Sequence, residues 1–307
     1  MPFNLLVILG PTASGKTRLG VELARRLSGE IISADSRQVY RGMDIGTGKD
    51  LAEYGEVPYH LIDIVDPGTE FNVFQFQRRF EEAYQLIAGL GKIPVMVGGT
   101  GMYLESVLKG YRLVEVPENA PLRNGLAKLS HEALMERLQK ANPRLHNSTD
   151  LLDRNRLVRA IEIAEYKAPE QAPFLPGLSP LIFGIRWERA ILCRRITERL
   201  KQRLDQGMIE EVVRLHDGGV PFETLEFYGL EYRFIARFLK GELNRNDLFQ
   251  KLNSAIHDFA KRQCTWFSRM ERHGTVIHWL NGTAEPLAEA LHILSQHQLQ
   301  PASSSRP

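Results

Sequence analysis

The chain has 307 residues, 43% hydrophobic and 25% charged, with 39 Lys and Arg against 37 Asp and Glu for a net charge of +2. That composition excludes a disordered or fibrous chain and leaves any nucleic-acid binding to local basic patches rather than bulk charge. Two cysteines, Cys193 and Cys264, are too few for a disulfide framework or a four-thiolate zinc site and fit a reducing cytoplasm; the early apolar run from Leu5 to Leu9 falls far short of the ~20 residues of a membrane span, so no membrane segment is expected.

Leu5 to Leu9 is an apolar run ending in glycine, the pattern of a buried parallel strand. Arg18 to Leu27 carries Leu19, Val21, Leu23, Ala24 and Leu27 at helical spacing. Ile31-Ile32, Leu61 to Ile64 and Ile93 to Val97 are further strand candidates, and between the last two Asn72 to Leu90 reads as a helix with Phe76, Phe80, Tyr84 and Ile87 on one face. Alternating strands and helices imply a mostly parallel sheet covered on both faces, with sites at the carboxyl ends of strands. From about Gly110 the texture changes. Residues 118–150 are polar and broken by Pro121, Asn142 and Pro143, with one helical piece from His131 to Gln139. Arg154 to Tyr166 resumes a helix, and residues 167–180 form a proline-rich loop. Leu181 to Ile185 is another strand, residues 188–216 a long amphipathic helix, with more helices to about Met270. Val276 to Leu280 is a late strand, and 301–307 a disordered tail.

Three glycine-containing clusters follow strand candidates. Gly10-Pro11-Thr12-Ala13-Ser14-Gly15-Lys16-Thr17 fits the phosphate-loop pattern G-x-x-x-x-G-K-S/T in its confirming context, after a strand and before a helix. Glycines let backbone N–H groups converge on phosphate oxygens, the helix N-terminus adds partial positive charge, Lys16 neutralises the distal phosphate and the Thr17 hydroxyl suits Mg²⁺. The motif specifies a polyphosphate ligand, not ATP. Ser33 to Tyr40 brings Asp35 beside that loop as a candidate general base or outer-sphere metal partner. On position alone it reads equally well as a polar turn. Val97-Gly98-Gly99-Thr100-Gly101 permits close backbone approach and offers a hydroxyl; on its own it too reads as a tight packing turn.

Taken with Gly42-Met43-Asp44-Ile45-Gly46-Thr47-Gly48-Lys49, these clusters resemble the tRNA dimethylallyltransferase (tRNA isopentenyltransferase) family. The matching segments are GPTASGKT, Asp35 to Tyr40, GMDIGTGK, His60 to Asp63, VGGTGMY, Arg156 to Glu162, Arg195 to Arg199 and Lys261 to Phe267, in the family's order over about residues 4–280. The resemblance implies transfer of a dimethylallyl group from dimethylallyl diphosphate to the exocyclic N6 of the adenosine 3′-adjacent to the anticodon. Asp35 is then the base that takes the N6 proton, and Thr100 positions the amine. Gly10, Thr12, Ala13, Ser14, Gly15, Lys16, a Mg²⁺ on Thr17, and Arg199 stabilise the leaving diphosphate. Arg156 joins them or holds the RNA backbone.

On the RNA side the resemblance implies contacts from Asp35, Ser36, Arg37, Gln38, Thr100, Arg123, Arg156, Arg159, Lys261, Arg262 and Gln263, with the Gln38 amide suited to an adenine edge. Arg186 to Arg203 holds seven basic residues against two acidic, a local excess of positive charge. Trp266 and Phe267, interleaved with basic residues, suit a core position better.

The expected fold is α/β: a P-loop NTPase-like core with a mostly parallel sheet, formed by residues 1–112 and 151–300, the latter carrying a helical C-terminal RNA-binding half. Residues 113–150 form a small helical insertion that clasps the tRNA. The expected partners are the tRNA anticodon stem-loop and dimethylallyl diphosphate, for a monomeric cytoplasmic enzyme. The chain departs from the family pattern in its short insertion, in the 167–180 loop, and near residue 230, where either Glu231 stands at the glycine expected before Tyr232-Arg233 or Gly229 is that glycine with two residues inserted, the first keeping the distance to Lys240-Gly241-Glu242. Alternatives are an isopentenyltransferase acting on free adenine nucleotides, which would not need the C-terminal basic patches, and a P-loop kinase of a small metabolite, which leaves them unexplained. An RNA-binding protein that has lost catalysis would not need Lys16, Thr17, Asp35 and Thr100 together.

Overall fold

The computed structural model describes residues 3–142, 153–166, 174–175 and 177–299. The tail 301–307 and most of the 167–180 loop's prolines lie outside the described residues. The chain divides into two compact units, Met1–Tyr111 with Phe174–Pro307, and Arg112–Pro173.

The larger unit is built on one sheet. Strands β1 (Leu5–Leu9), β2 (Glu30–Ala34), β3 (Tyr59–His60), β4 (Pro94–Gly98), β5 (Pro180–Arg186) and β6 (His278–Asn281) lie in the order β3-β2-β4-β1-β5-β6 with every pairing parallel. Pro94 and Pro180 sit at strand starts, where a missing N–H breaks no ladder. Side chains alternate between two cores, as a parallel sheet buried on both faces requires. Leu6, Ile8, Ile31, Val95, Val97 and Phe183 pack against α1 (Lys16–Leu27) and α12 (Pro286–Leu299). Leu5, Val7, Leu9, Ile32, Met96 and Ile182 pack against α2 (Val73–Gly89) and α3 (Gly101–Leu108). Asn72 starts α2 with a reciprocal cap. Its side chain accepts from the Phe74 and Gln75 amides, and the Gln75 side chain accepts from the Asn72 amide.

A third core joins α7 (Arg189–Asp205), α8 (Met208–Asp217), α9 (Phe222–Phe227), α10 (Leu230–Leu239) and α11 (Arg245–Arg272) to Val39, Tyr40 and Met43. The expected single helix over 188–216 is two helices, interrupted at Gly207 with φ 95°. The Leu61 to Ile64 strand is also absent. Pairing ends at His60, and Leu61 and Asp63 take φ of 65° and 55°. The cause is a buried cation. Lys49 is fully buried, donates to the Tyr40 carbonyl at 2.7 Å and to Asp44 at 2.6 Å, and pairs with Asp63. A buried ammonium must be paired, and turning Asp63 onto it costs the local strand. Helix α12 has no counterpart among the sequence expectations, although Leu287, Leu291 and Leu294 are helically spaced. Among the described residues no helix is long and apolar enough to cross a membrane.

The smaller unit contains α4 (Ala120–Leu126), α5 (His131–Ala141) and α6 (Arg154–Glu165). Leu126, Leu134 and Leu138 share a core with Leu157 and Ile161 of α6. The unit therefore extends beyond the expected 113–150, because α6 supplies part of its core. At its centre the Glu162 side chain, 1% exposed, accepts from Arg123 Nε at 3.1 Å, Arg123 Nη2 at 2.9 Å and the Asn119 amide at 2.5 Å, and pairs with Arg159. Arg159 also donates to the Val116 carbonyl at 2.7 Å. Burial pushes the Glu162 carboxyl up, but hydrogen bonds from Arg123, Asn119 and Arg159 outweigh it and bring it down to about 2. A depressed carboxyl contributes stability that is complete above its ordinary value of 4.5 and is lost as pH falls toward 2. We expect Glu162→Gln to cost this unit about 2–3 kcal/mol. Hydrogen exchange should quicken in α4, α5 and α6 and stay unchanged in α1. In the parent protein the same amides should lose protection selectively below the ordinary carboxyl range.

Candidate active site

The phosphate loop, Gly10 to Thr17, leaves the end of β1 and enters α1. Gly15 occupies the N-cap at φ 86°, a conformation natural to glycine, while Ala13 takes φ 60° against its preference. The loop is pinned at three consecutive residues by distant parts of the chain. The Thr12 amide donates to Gln263 Oε1 at 2.8 Å, the Ala13 carbonyl accepts from Arg195 Nε at 2.9 Å, and the Ser14 carbonyl accepts from Trp187 Nε1 at 2.9 Å. The Arg195 guanidinium lies 4.1 Å from the Trp187 ring centre, so the two pins brace each other. Ser14 Oγ is buried with no hydrogen-bond partner among the described residues. The Thr17 hydroxyl makes none among them either. The first N–H groups of α1 have no intrahelical partner, so the loop is shaped for an anion.

Lys16 reaches toward the Pro11 carbonyl at 3.5 Å. Burial of its ammonium is the largest influence on its acidity; Asp35 opposes it, Arg199 and Arg203 reinforce it, and the result is lowered to about 8.

Asp35 follows β2 and Thr100 follows the adjacent β4. The Thr100 hydroxyl oxygen accepts from the Ser36 amide at 3.1 Å, and its amide donates to the Ala34 carbonyl at 3.3 Å. Asp35 Oδ1 accepts from the Arg37 amide at 2.9 Å, which leaves Oδ2 without a hydrogen-bond partner among the described residues. The strand register thus brings Asp35, Ser36 and Thr100 together. Arg37 extends from this turn to Phe227, 5.5 Å from its ring centre.

Arg199 lies on α7, where its guanidinium pairs with Asp50. Ile196, Arg199, Leu200 and Arg203 share one face of α7 by their spacing, and with Thr12, Ala13, Glu231 and Ile256 they line a small cavity beside the phosphate loop. Asp50, Arg203 and Glu231 were not among the residues expected to act. Arg203 could have been found from its spacing of four from Arg199. Asp50 had no pattern to mark it.

Two glutamines expected to meet RNA are committed within the protein. Gln38 is buried, accepts from Ser33 Oγ at 2.9 Å and donates to the Gly48 carbonyl at 3.1 Å. Gln263 is buried and joins Thr12 to the Gly99 carbonyl, donating at 2.9 Å. Each closes an otherwise unpaired backbone group. A Cβ on Gly99 would strike Gln263, and one on Gly101 would strike Trp266, so those glycines are required by the approach of α11. Lys261 and Arg262 are exposed on α11 and form no ion pair among the described residues. Lys261 lines an open groove with Cys264, Thr265, Ser268, Glu271 and Arg272. Phe267 is core, as expected, and Trp266 is half-buried.

In the smaller unit the guanidiniums of Arg123 and Arg159 are engaged by Glu162, and Arg123 also pairs with Glu118 at 2.7 Å. Arg156 is exposed on α6 with no ion pair among the described residues.

A model described as IPP transferase matches residues 38–270, and one described as isopentenyl transferase matches residues 3–56. The chain is 83% identical over 307 residues to "tRNA dimethylallyltransferase 1" of Geotalea daltonii, covering 100% of both. It is 74% identical over 294 residues to "tRNA dimethylallyltransferase 1" of Geotalea uraniireducens, covering 96% of this chain and 98% of that one. Among solved structures, the full-length tRNA isopentenylpyrophosphate transferase of Bacillus halodurans matches at TM-score 0.71 and 31% identity, covering 96% of each chain.

Replacing Gln263 by Leu keeps the volume but leaves the Thr12 amide and the Gly99 carbonyl unpaired. We expect a loss of about 2 kcal/mol in denaturant unfolding and faster hydrogen exchange at the Thr12 amide. The exposed neighbour Lys261→Ala should change neither.

Proposed function

The chain belongs to the IPP transferase family, and from that premise we propose its reaction: a dimethylallyl group passes from dimethylallyl diphosphate to the exocyclic N6 of the adenosine 3′-adjacent to the anticodon of tRNA, and diphosphate is released. The observation that carries this reading is the meeting of three strand ends. The phosphate loop follows β1, Asp35 follows β2, and Thr100 follows β4. Anion site and proton acceptor therefore flank one region of the sheet edge.

An adenine amine is a weak nucleophile, because its lone pair is delocalised into the ring. Asp35 Oδ2 accepts the N6 proton as N6 bonds to C1 of the dimethylallyl group and the C1–oxygen bond breaks. The Arg37 amide on Oδ1 holds the carboxylate in place. The Thr100 hydroxyl, whose oxygen already accepts from Ser36, still has a proton to donate and orients the amine. Lys16, Arg199 and the amides of Gly15, Lys16 and Thr17 at the start of α1 stabilise the charge that grows on diphosphate. These groups are preset, so positioning and electrostatics supply the rate without a covalent enzyme intermediate.

The Thr17 hydroxyl suits Mg²⁺. Among the described residues no cluster of three His, Cys, Asp or Glu could cage a metal, so a hydroxyl shared with substrate phosphate is the fitting arrangement. When bound, Mg²⁺ would neutralise diphosphate charge. Exposed Lys261, Arg262 and Arg156, with half-buried Arg37, are among the cations that form no ion pair among the described residues, and they hold RNA phosphates.

Transfer of labelled dimethylallyl diphosphate to unmodified tRNA, with AMP and ATP as parallel acceptors, tests the reaction. We expect label in tRNA, reduced about 10²–10⁴-fold in Asp35→Asn. Label only in the nucleotides would assign a free-nucleotide isopentenyltransferase, and no label from folded protein that binds ATP would favour a kinase. A second outcome follows from Lys16. Its ammonium must be protonated to hold diphosphate, and its pKa is lowered to about 8. Affinity for dimethylallyl diphosphate should be fully present below that pH and fall above it, by up to tenfold per unit. Lys16→Met should bind weakly and lose this dependence, as isothermal titration would show.

A further inference from the structure

Arg203 lies one turn beyond Arg199 on α7 and lines the same cavity beside Thr12 and Ala13. It is 8% exposed, yet its Nη2 has no hydrogen-bond partner among the described residues. The nearest carboxylate oxygen is Asp50 Oδ2 at 3.7 Å, and that oxygen already accepts from Arg199. The guanidinium packs on the backbone at Gly48. Burial lowers its pKa to about 10, so it remains charged at neutral pH. A buried guanidinium with an idle N–H is costly unless an anion completes it.

The cavity is also lined by Glu231, in the first turn of α10, where a helix N-terminus favours a carboxylate. Burial raises the pKa of this carboxyl on balance, and Arg203 is the strongest influence opposing that rise. Lys16, Arg199 and Arg203 together form a trio of cations within electrostatic reach of one another. Asp50 and Glu231 balance them in the absence of ligand.

We propose that Arg203 is a second diphosphate-binding arginine of this enzyme and that Glu231 is the counter-charge that permits it to be buried there. The proposal rests on the diphosphate reading of the phosphate loop. On binding, diphosphate oxygens take the idle Nη2 of Arg203 and compete with Asp50 for Arg199. Glu231 keeps three cations from repelling one another in the empty pocket, and weakens anion binding in return.

Titration of inorganic pyrophosphate with Mg²⁺ into the full chain by calorimetry tests this. Arg203→Met, close in length and apolar, should weaken binding by about 10–100-fold. Arg203→Lys should recover only part of it, since it restores the charge without the planar fork. Glu231→Gln should tighten binding by about two- to fivefold. In the transfer assay Arg203→Met should raise KM for dimethylallyl diphosphate and leave KM for tRNA unchanged. Melting of each variant without ligand serves as the fold control, and Arg203→Met should melt no lower than the parent, because it removes a buried charge that lacks a full partner. Parent-like pyrophosphate affinity in Arg203→Met would overturn the proposal alone. A parent that binds no pyrophosphate would overturn the diphosphate reading and the proposal with it. A fall in melting temperature with an equal rise in both KM values would make Arg203 structural and overturn it too.

Discussion

The Gln263 amide is the contact on which the rest of the site depends. Its oxygen receives the Thr12 amide and its nitrogen donates to the Gly99 carbonyl. One side chain thereby fixes the distance between the phosphate loop after β1 and the loop that presents Thr100 after β4. The glutamine reaches that point because α11 comes close enough to exclude side chains at Gly99 and Gly101. Phe267 and Met270, later on the same helix, are buried in the core beneath the sheet and hold its approach. Arg195 and Trp187 add two more pins on Ala13 and Ser14. The left-handed Ala13 is therefore over-determined, which is the condition under which such backbone strain persists. The helical half is thus part of the phosphate site and not an appendage to it.

Charge is arranged with the same economy. Lys16, Arg199 and Arg203 face Asp35, Asp50 and Glu231 around the loop. In a partly desolvated pocket each of these interactions is stronger than in water. Lys49 shows the structural counterpart, with a fully buried ammonium matched to Asp44 and Asp63. Glu211 does the same for the neighbouring loop, accepting from the amides of Asp44, Ile45 and Gly46 and from the Tyr232 hydroxyl. The glycine-rich segment Gly42 to Lys49 is held by these carboxylates, and its backbone in turn receives Gln38.

What was legible in the sequence was what depends on short-range pattern. The phosphate loop declared itself through glycine spacing between a strand and a helix, and the apolar runs at Leu5 and Ile93 became central strands. Asp35 and Thr100 were placed correctly at strand ends because a parallel sheet gathers such ends on one edge. Failures came where long-range pairing decided the outcome. Leu61 to Ile64 has strand-like alternation, but Asp63 is drawn to Lys49. Helix α6 looked like a return to the core, but Leu157 and Ile161 complete the core of the smaller unit. Nothing local reveals the internal contacts of Gln38 with Gly48, of Gln263 with Thr12 and Gly99, or of Arg123 and Arg159 with Glu162. Arg203 was visible as charge and invisible as a cavity wall.

A phosphate loop braced from the helical half should be preformed. Amide hydrogen exchange over residues 11–17, with and without pyrophosphate, tests this most directly. Slow exchange in the ligand-free protein, with little further slowing on binding, is the result the bracing predicts. A loop that exchanges freely until pyrophosphate is added would contradict it, and would make the ligand, not Gln263, Arg195 and Trp187, the organiser of the site.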